Sequence, residues 1–179
     1  MTIQVLSAAE AIERLDRFGA VIDARSPGEY AEDHLPWAVN WPVLDDDERK
    51  LVGTEYAQVS AFEAKKRGAA LVARNIAAHI ERHVMDQPKG WQPLVYCWRG
   101  GKRSGSMAWF LDQMGFRTHL LEGGYKAFRA AVMAELASTA AACTSRCPTA
   151  GAWNCCFRTA TSSSTTSSYS AASSAACSC

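Results

Sequence analysis

Leu94-Val95-Tyr96-Cys97-Trp98-Arg99-Gly100-Gly101-Lys102-Arg103-Ser104 decides how the rest of the chain is read. A short apolar run stops at a cysteine. Two glycines and three basic residues follow, and a helical pattern then opens with Ser104, Met107, Ala108 and Leu111. A strand that turns directly into a helix leaves successive backbone N–H groups facing into the turn, and the helix dipole adds positive potential there. Glycine at 100 and 101 permits backbone angles closed to other residues. Such a nest, built from residues 98–103, attracts an anion and favours the thiolate form of Cys97. The alternative is an inert cysteine at a strand end, a common fate of an isolated thiol. The coincidence of strand, thiol, glycines and cations within eight residues favours the reactive one.

Working outward from this stretch, the amino-terminal side reads as alternating strands and helices. Residues 3–6 form a short strand. Ser7 with Glu10 has capping-box spacing, and Ala11, Leu15 and Phe18 give the following helix an apolar face that Gly19 ends. Ala20-Val21-Ile22 is a buried strand finishing on Asp23-Ala24-Arg25. The carboxyl ends of parallel strands face the ligand crevice, so Asp23 and Arg25 either support the Cys97 loop or form a structural ion pair. Ser26-Pro27 opens a short helix through Glu29 and Tyr30, and Ala38-Val39-Asn40 is a brief strand after His34-Leu35-Pro36-Trp37. A lone His34 is more readily structural than an acid or base. The acids at 45–48 suit a helix amino terminus, and residues 54–86 read as helix capped by Thr54 and interrupted by Gly68. Val72, Ile76, Ile80 and Val84 line one face of that helix, and His79 and His83 are expected on a solvated face.

On the carboxyl side, residues 117–121 read as the last strand, Glu122-Gly123-Gly124 as a turn, and Tyr125–Leu136 as the last helix. Repeated β-α units with short connections predict an α/β fold: a parallel sheet of about five strands with helices on both faces. With 179 residues and a formal net charge of +1, the chain has one domain's worth of core, and no global field singles out nucleic acid or membrane. No 18-residue apolar run and no leader-like amino terminus occur, so a soluble cytoplasmic protein is expected.

Six of the seven cysteines fall after residue 136, in a segment dominated by Ala, Ser, Thr and Cys that has no acidic residue. The spacing of those cysteines matches no metal-ligand pattern, and no metal site is expected. We therefore read 1–136 as the folded domain. Residues 137–179 are expected to be a disordered tail, with the character of an out-of-frame translation rather than selected sequence.

The quoted residues resemble a known family. Asp23-Ala24-Arg25, Glu29-Tyr30, His34-Leu35-Pro36-x-Ala38-Val39-Asn40 and the cysteine loop resemble a rhodanese domain. More narrowly, Tyr96-Cys97-Trp98-Arg99-Gly100-Gly101-Lys102-Arg103-Ser104-Gly105-Ser106 with Leu121-Glu122-Gly123-Gly124-Tyr125-Lys126 is similar to the tRNA 2-selenouridine synthases. The resemblance covers about residues 3–136. It implies replacement of sulfur by selenium at the 2-position of a thiolated wobble uridine in tRNA, with selenophosphate and geranyl diphosphate as co-substrates and no bound cofactor. That family continues into a P-loop domain with a GxxxxGK[ST] motif, which this sequence lacks. Trp37 stands where many rhodaneses have glycine, and is expected to narrow the pocket mouth.

Chemistry of this kind needs a nucleophile that can carry a chalcogen and a cradle for the anion it forms, and the residues suggest the following roles. Cys97 would carry the chalcogen as a persulfide or selenosulfide, with loop amides acting like an oxyanion hole. Arg103, at C-x5-R spacing, would fork onto a phosphate-like donor, and Arg99 and Lys102 would meet the donor or tRNA phosphates. Trp98 either stacks on a base or packs at the rim. The C-x5-R spacing also allows a rhodanese-fold phosphatase, although Tyr96 replaces the usual preceding histidine; a non-catalytic binding module is the third alternative.

Overall fold

The computed structural model describes residues 3–146, and the compact unit considered below spans Met1–Leu136. Its elements follow in chain order: β1 (Gln4–Leu6), α1 (Ala8–Glu13), β2 (Ala20–Asp23), α2 (Pro27–Glu32), β3 (Ala38–Asn40), α3 (Asp46–Gln58), α4 (Ala61–His83), β4 (Pro93–Tyr96), α5 (Lys102–Gln113), β5 (His119–Leu121) and α6 (Gly124–Arg146). The five strands form one parallel sheet in the order β1-β5-β4-β2-β3. From β2 the chain steps outward to β3, and from β4 it steps outward the other way to β5. The order therefore reverses between β2 and β4, and a crevice opens at the carboxyl ends of those two strands. Asp23 ends one of them and Tyr96, just before Cys97, ends the other, paired in register.

Strand alternation sends neighbours to opposite faces. Val21, Leu94 and Tyr96 pack with Leu6, Ala11, Leu35, Leu121, Tyr125 and Phe128 on one side of the sheet. Ile22, Val95 and Cys97 pack with Trp41, Ile76, Trp91, Met107 and Leu111 on the other. Helices thus cover both faces, as the β-α repeat predicts. Capping boxes start α1 (Ser7 with Glu10), α2 (Ser26 with Glu29) and α3 (Asp45 with Glu48), satisfying amides that would otherwise lack partners.

Several local readings differ from the sequence analysis. The first helix ends at Glu13 and gives way to a 3-10 turn at Leu15–Arg17 rather than running to Gly19. The long helical stretch begins at Asp46 and breaks at Val59-Ser60, where the Ser60 hydroxyl caps α4 by accepting from the amides of Phe62 and Glu63. Gly68 does not interrupt α4. It is buried inside the helix, where an added Cβ would lie 3.3 Å from Val52 of α3, so the missing side chain lets two helices approach. Of the two histidines only His79 leaves the solvated face: it is half-buried and its Nε2 bonds the Pro42 carbonyl at 3.0 Å, whereas His83 stays exposed, and both stack on Trp41, at 5.9 and 5.1 Å between ring centres.

The last helix continues past Leu136 to Arg146, because a run of alanines sustains helix without needing an apolar face. The expected end of this helix at Leu136 is therefore corrected, and the expectation of a disordered tail falls, for 147–179, outside the described residues.

Candidate active site at the carboxyl end of β4

β4 is buried throughout, and its last residue hands the chain to Cys97, which keeps 3 % of its surface exposed. The chain then turns through Trp98–Gly101 and enters α5. Gly100 makes this turn possible: its φ is +65°, and an added Cβ would sit 2.8 Å from the Leu121 carbonyl oxygen. The turn points donors at sulfur. The Gly101 N–H donates to Cys97 Sγ at 3.2 Å, and the Ser104 hydroxyl reaches the same sulfur at 3.1 Å and the Gly101 carbonyl at 3.3 Å. Ser104 is fully buried. Two hydrogen bonds are thus directed at one sulfur, an arrangement that would stabilise negative charge developing there.

The other side of the turn is held by α6. Its first amides donate outward: Tyr125 N–H to the Cys97 carbonyl at 2.8 Å and Lys126 N–H to the Trp98 carbonyl at 3.1 Å. Gly124 comes so close that a Cβ there would overlap the Cys97 carbonyl, and its φ is +59°. The loop carrying the nucleophile is therefore clamped between the start of α5 and the start of α6.

Around this frame the structure places the residues anticipated above. Asp23 and Arg25 form a buried pair at 2.7 Å, and the Arg25 guanidinium also donates to the Asp33 carbonyl at 2.6 Å. Burial opposes the charge of Arg25, but the bonds and charge of Asp23 outweigh it and hold the guanidinium above its ordinary value. The pair is structural, and its guanidinium lies over the ring of Tyr125 at 4.3 Å and within 6.0 Å of the Trp98 ring. Tyr96 turns to the opposite face from Cys97, where its hydroxyl accepts from Leu35 N–H at 3.1 Å and burial drives its ionisation well above the ordinary range.

Arg103 does fork, but onto Glu29: 2.6 Å from Nη1 to Oε2 and 3.4 Å from Nη2 to Oε1. Burial of Glu29 opposes its charge, and the Arg103 bonds overcome this, leaving the carboxyl below its usual range. Arg99 and Lys102 are exposed. Trp98 is 38 % exposed, with its ring stacked on Tyr125 at 5.4 Å. Trp37 has a φ of 58° and 66 % exposure, and enters β3 from its amino end.

Beside the loop, α3, α4 and α5 enclose a cleft of about 490 Å3 with mostly apolar walls, among them Val52, Val72 and Phe110, and with Lys65, Lys102 and Arg103 on its border. Ser104 and this cleft are what the sequence reading missed. Ser104 had counted only as a helix opener, and the C-x5-R-Ser register was the signal that would have placed its hydroxyl one helical turn from the sulfur. The cleft needs the α3–α4 pairing, which the sequence shows only as helical periodicity. Among the described residues, no group of three or more His, Cys, Asp or Glu converges as a metal site, and no helix is long and apolar enough to cross a membrane.

Comparison with known proteins agrees with this architecture. The tRNA 2-selenouridine synthase of Nitrosomonas europaea is 38 % identical over 113 residues, covering 61 % of this chain and 29 % of that protein. That of Shewanella denitrificans is 33 % identical over 145 residues, covering 79 % and 39 %. The chain therefore spans about a third of the length of these curated relatives, at their amino-terminal part. The crystal structure of the N-terminal domain of a Clostridium difficile 630 protein described as ATP/GTP-binding superposes with a TM-score of 0.59 at 31 % identity, covering 73 % of this chain and 98 % of that one. Residues 7–131 match the rhodanese-like domain model, a span that takes in every strand but β1 together with the whole thiol loop, and the chain belongs to the rhodanese-like domain family.

Proposed function

We propose that this domain moves a chalcogen through Cys97: sulfur or selenium is taken from a small anionic donor and, with an external thiol reducing the bond to Cys97, selenium replaces the 2-sulfur of a thiolated uridine of tRNA in the cytoplasm, that sulfur leaving as sulfide. The observation that carries the reading is the sulfur itself, at the switch point of a parallel sheet with an amide and a buried hydroxyl both directed at it. As thiolate, Cys97 attacks the outer chalcogen of the donor. A sulfur–sulfur or sulfur–selenium bond forms, and the donor's own bond breaks with its electron pair leaving on the remainder, which is sulfite when the donor is thiosulfate. The terminal chalcogen then carries the negative charge, and Gly101 N–H and the Ser104 hydroxyl are the donors nearest to it.

Selenophosphate is the donor that suits a loop of phosphatase length, with Lys102 and Arg99 exposed to meet its oxygens. Geranyl diphosphate fits by chemistry the cleft between α3, α4 and α5, its chain against Val52, Val72 and Phe110 and its charge toward Lys65, Lys102 and Arg103. The phosphatase reading is weaker, because Asp23, Glu29 and Asp33, the carboxylates around the loop, are each bonded to an arginine or a tyrosine and none is poised as a general acid.

Incubation of the chain with thiosulfate is expected to add one cyanide-labile sulfur, located at Cys97 by peptide mapping. Cys97→Ser is expected to reduce uptake at that position to background while the chain stays folded. Undiminished thiocyanate production by the variant overturns the proposal, and hydrolysis of para-nitrophenyl phosphate by the unsubstituted chain supports a phosphatase instead.

A further inference from the structure

Trp98 is the residue next to the nucleophile, and its backbone is fixed: the carbonyl accepts from Lys126 N–H at 3.1 Å, one residue along from the bond between Tyr125 N–H and the Cys97 carbonyl. Its side chain is ordered as well. The indole lies on Tyr125 at 5.4 Å with 27° between the planes, Tyr125 in turn donates its hydroxyl to Asp33, and the Arg25 guanidinium lies over the Tyr125 ring at 4.3 Å. The same guanidinium lies 6.0 Å from the Trp98 ring, so a buried arginine sits against a stacked tyrosine–indole pair, and this cluster holds a tryptophan with 38 % of its surface exposed. Core packing alone does not explain leaving more than a third of this large aromatic in water after supporting it so fully, since the area still exposed contributes nothing to burial. Arg99 and Lys126, both exposed, flank it along the backbone. A held π surface with exposed cationic residues beside it in the backbone suits an unstacked nucleobase whose phosphates need neutralising.

We propose that Trp98 is the platform on which the acceptor's pyrimidine stacks, so that the ring to be modified lies beside the loaded sulfur. The assignment rests on the chalcogen-transfer reading and names the residue that positions its substrate.

The test compares two short hairpin RNAs that differ at one loop position, which is 2-thiouridine in one and abasic in the other, with binding measured to the full chain. Phosphate contacts are common to both RNAs, so the ratio of their affinities isolates the base. The unsubstituted chain is expected to favour the 2-thiouridine RNA by about five- to hundredfold. Trp98→Leu should bring that ratio near one with little change for the abasic RNA, and Trp98→Phe, which keeps an aromatic face, should restore most of it. Equal binding of the two RNAs by the unsubstituted chain overturns the proposal. So does a ratio that survives in Trp98→Leu, or a loss of both RNAs by the Leu and Phe variants alike. If the base-dependent ratio behaves as expected but thiosulfate leaves no sulfur on Cys97, it is the chalcogen-transfer reading that fails and the stacking site that stands.

Discussion

Ser104 reaches the sulfur from inside the core, and its single hydrogen has two acceptors in range, Cys97 Sγ and the Gly101 carbonyl. When the sulfur is negative the charge draws that hydrogen, so the hydroxyl stabilises the reactive form more than the resting one. Ser104→Ala is expected to slow alkylation of Cys97 by iodoacetamide about three- to tenfold at neutral pH, the effect of one lost hydrogen bond, with Thr at the same position recovering part of it. A rate unchanged in Ser104→Ala would remove the serine from the chemistry. Glu29 acts at the same scale by a different route. Its carboxylate both completes the capping box of α2 and receives Arg103 of α5, joining two helices that meet nowhere near each other in sequence.

At the scale of elements, the start of α6 matters most. Two of its amides hold the carbonyls of Cys97 and Trp98, and Gly124 is the point of closest approach. A side chain there meets both a left-handed backbone and the Cys97 carbonyl, so Gly124→Ala is expected to destabilise the fold by about 2 kcal/mol or more, which lowers Tm by several degrees in a domain of this size. Thermal unfolding of the purified variant checks it, and an unchanged Tm would mean that the loop yields freely.

The same elements show what sequence could and could not reveal. The thiol loop was legible because glycines, cations and a strand end fall in eight consecutive residues. The break before α4 was not, because Val59-Ser60 carries neither glycine nor proline, and the hydroxyl that caps the new helix looks like any surface serine. Gly68 misled for the opposite reason, since a glycine required by helix–helix approach has the same letter as one that ends a helix. The reach of α6 beyond Leu136 was hidden by the lack of an apolar stripe, which signals packing rather than helix as such.

At the scale of the whole molecule, pH tests how the helical layer sits on the sheet. His79 of α4 is held by burial below the ordinary histidine value, with Trp41 against its ring and His83 and Arg82 as its charged neighbours. The unfolded chain takes up this proton first, so the group's contribution to stability is present above about pH 6.5 and is lost as pH falls toward the lowered folded value. Glu29 and Asp33, both held below the usual carboxylate range, contribute above about pH 4.5 and lose their part only in stronger acid, so they leave the window between about 5.5 and 7.5 to histidine. His79→Phe keeps a ring for Trp41 and loses the bond to the Pro42 carbonyl. It is expected to cost about 1 kcal/mol at neutral pH and to show a smaller Tm decrease than the unsubstituted chain on going from about pH 7.5 to about 5.5. Parallel pH profiles for the two proteins would remove His79 from the account.

The clamp at the start of α6 has a mechanical side. The helix runs from the two bonded carbonyls through Arg146, a stiff rod whose near end is fastened to the backbone of the nucleophile. A push or twist applied to its first turns has no slack loop in which to dissipate before it reaches Cys97. A force along those first turns would therefore tilt the sulfur through its own backbone, with no contact to the thiol needed.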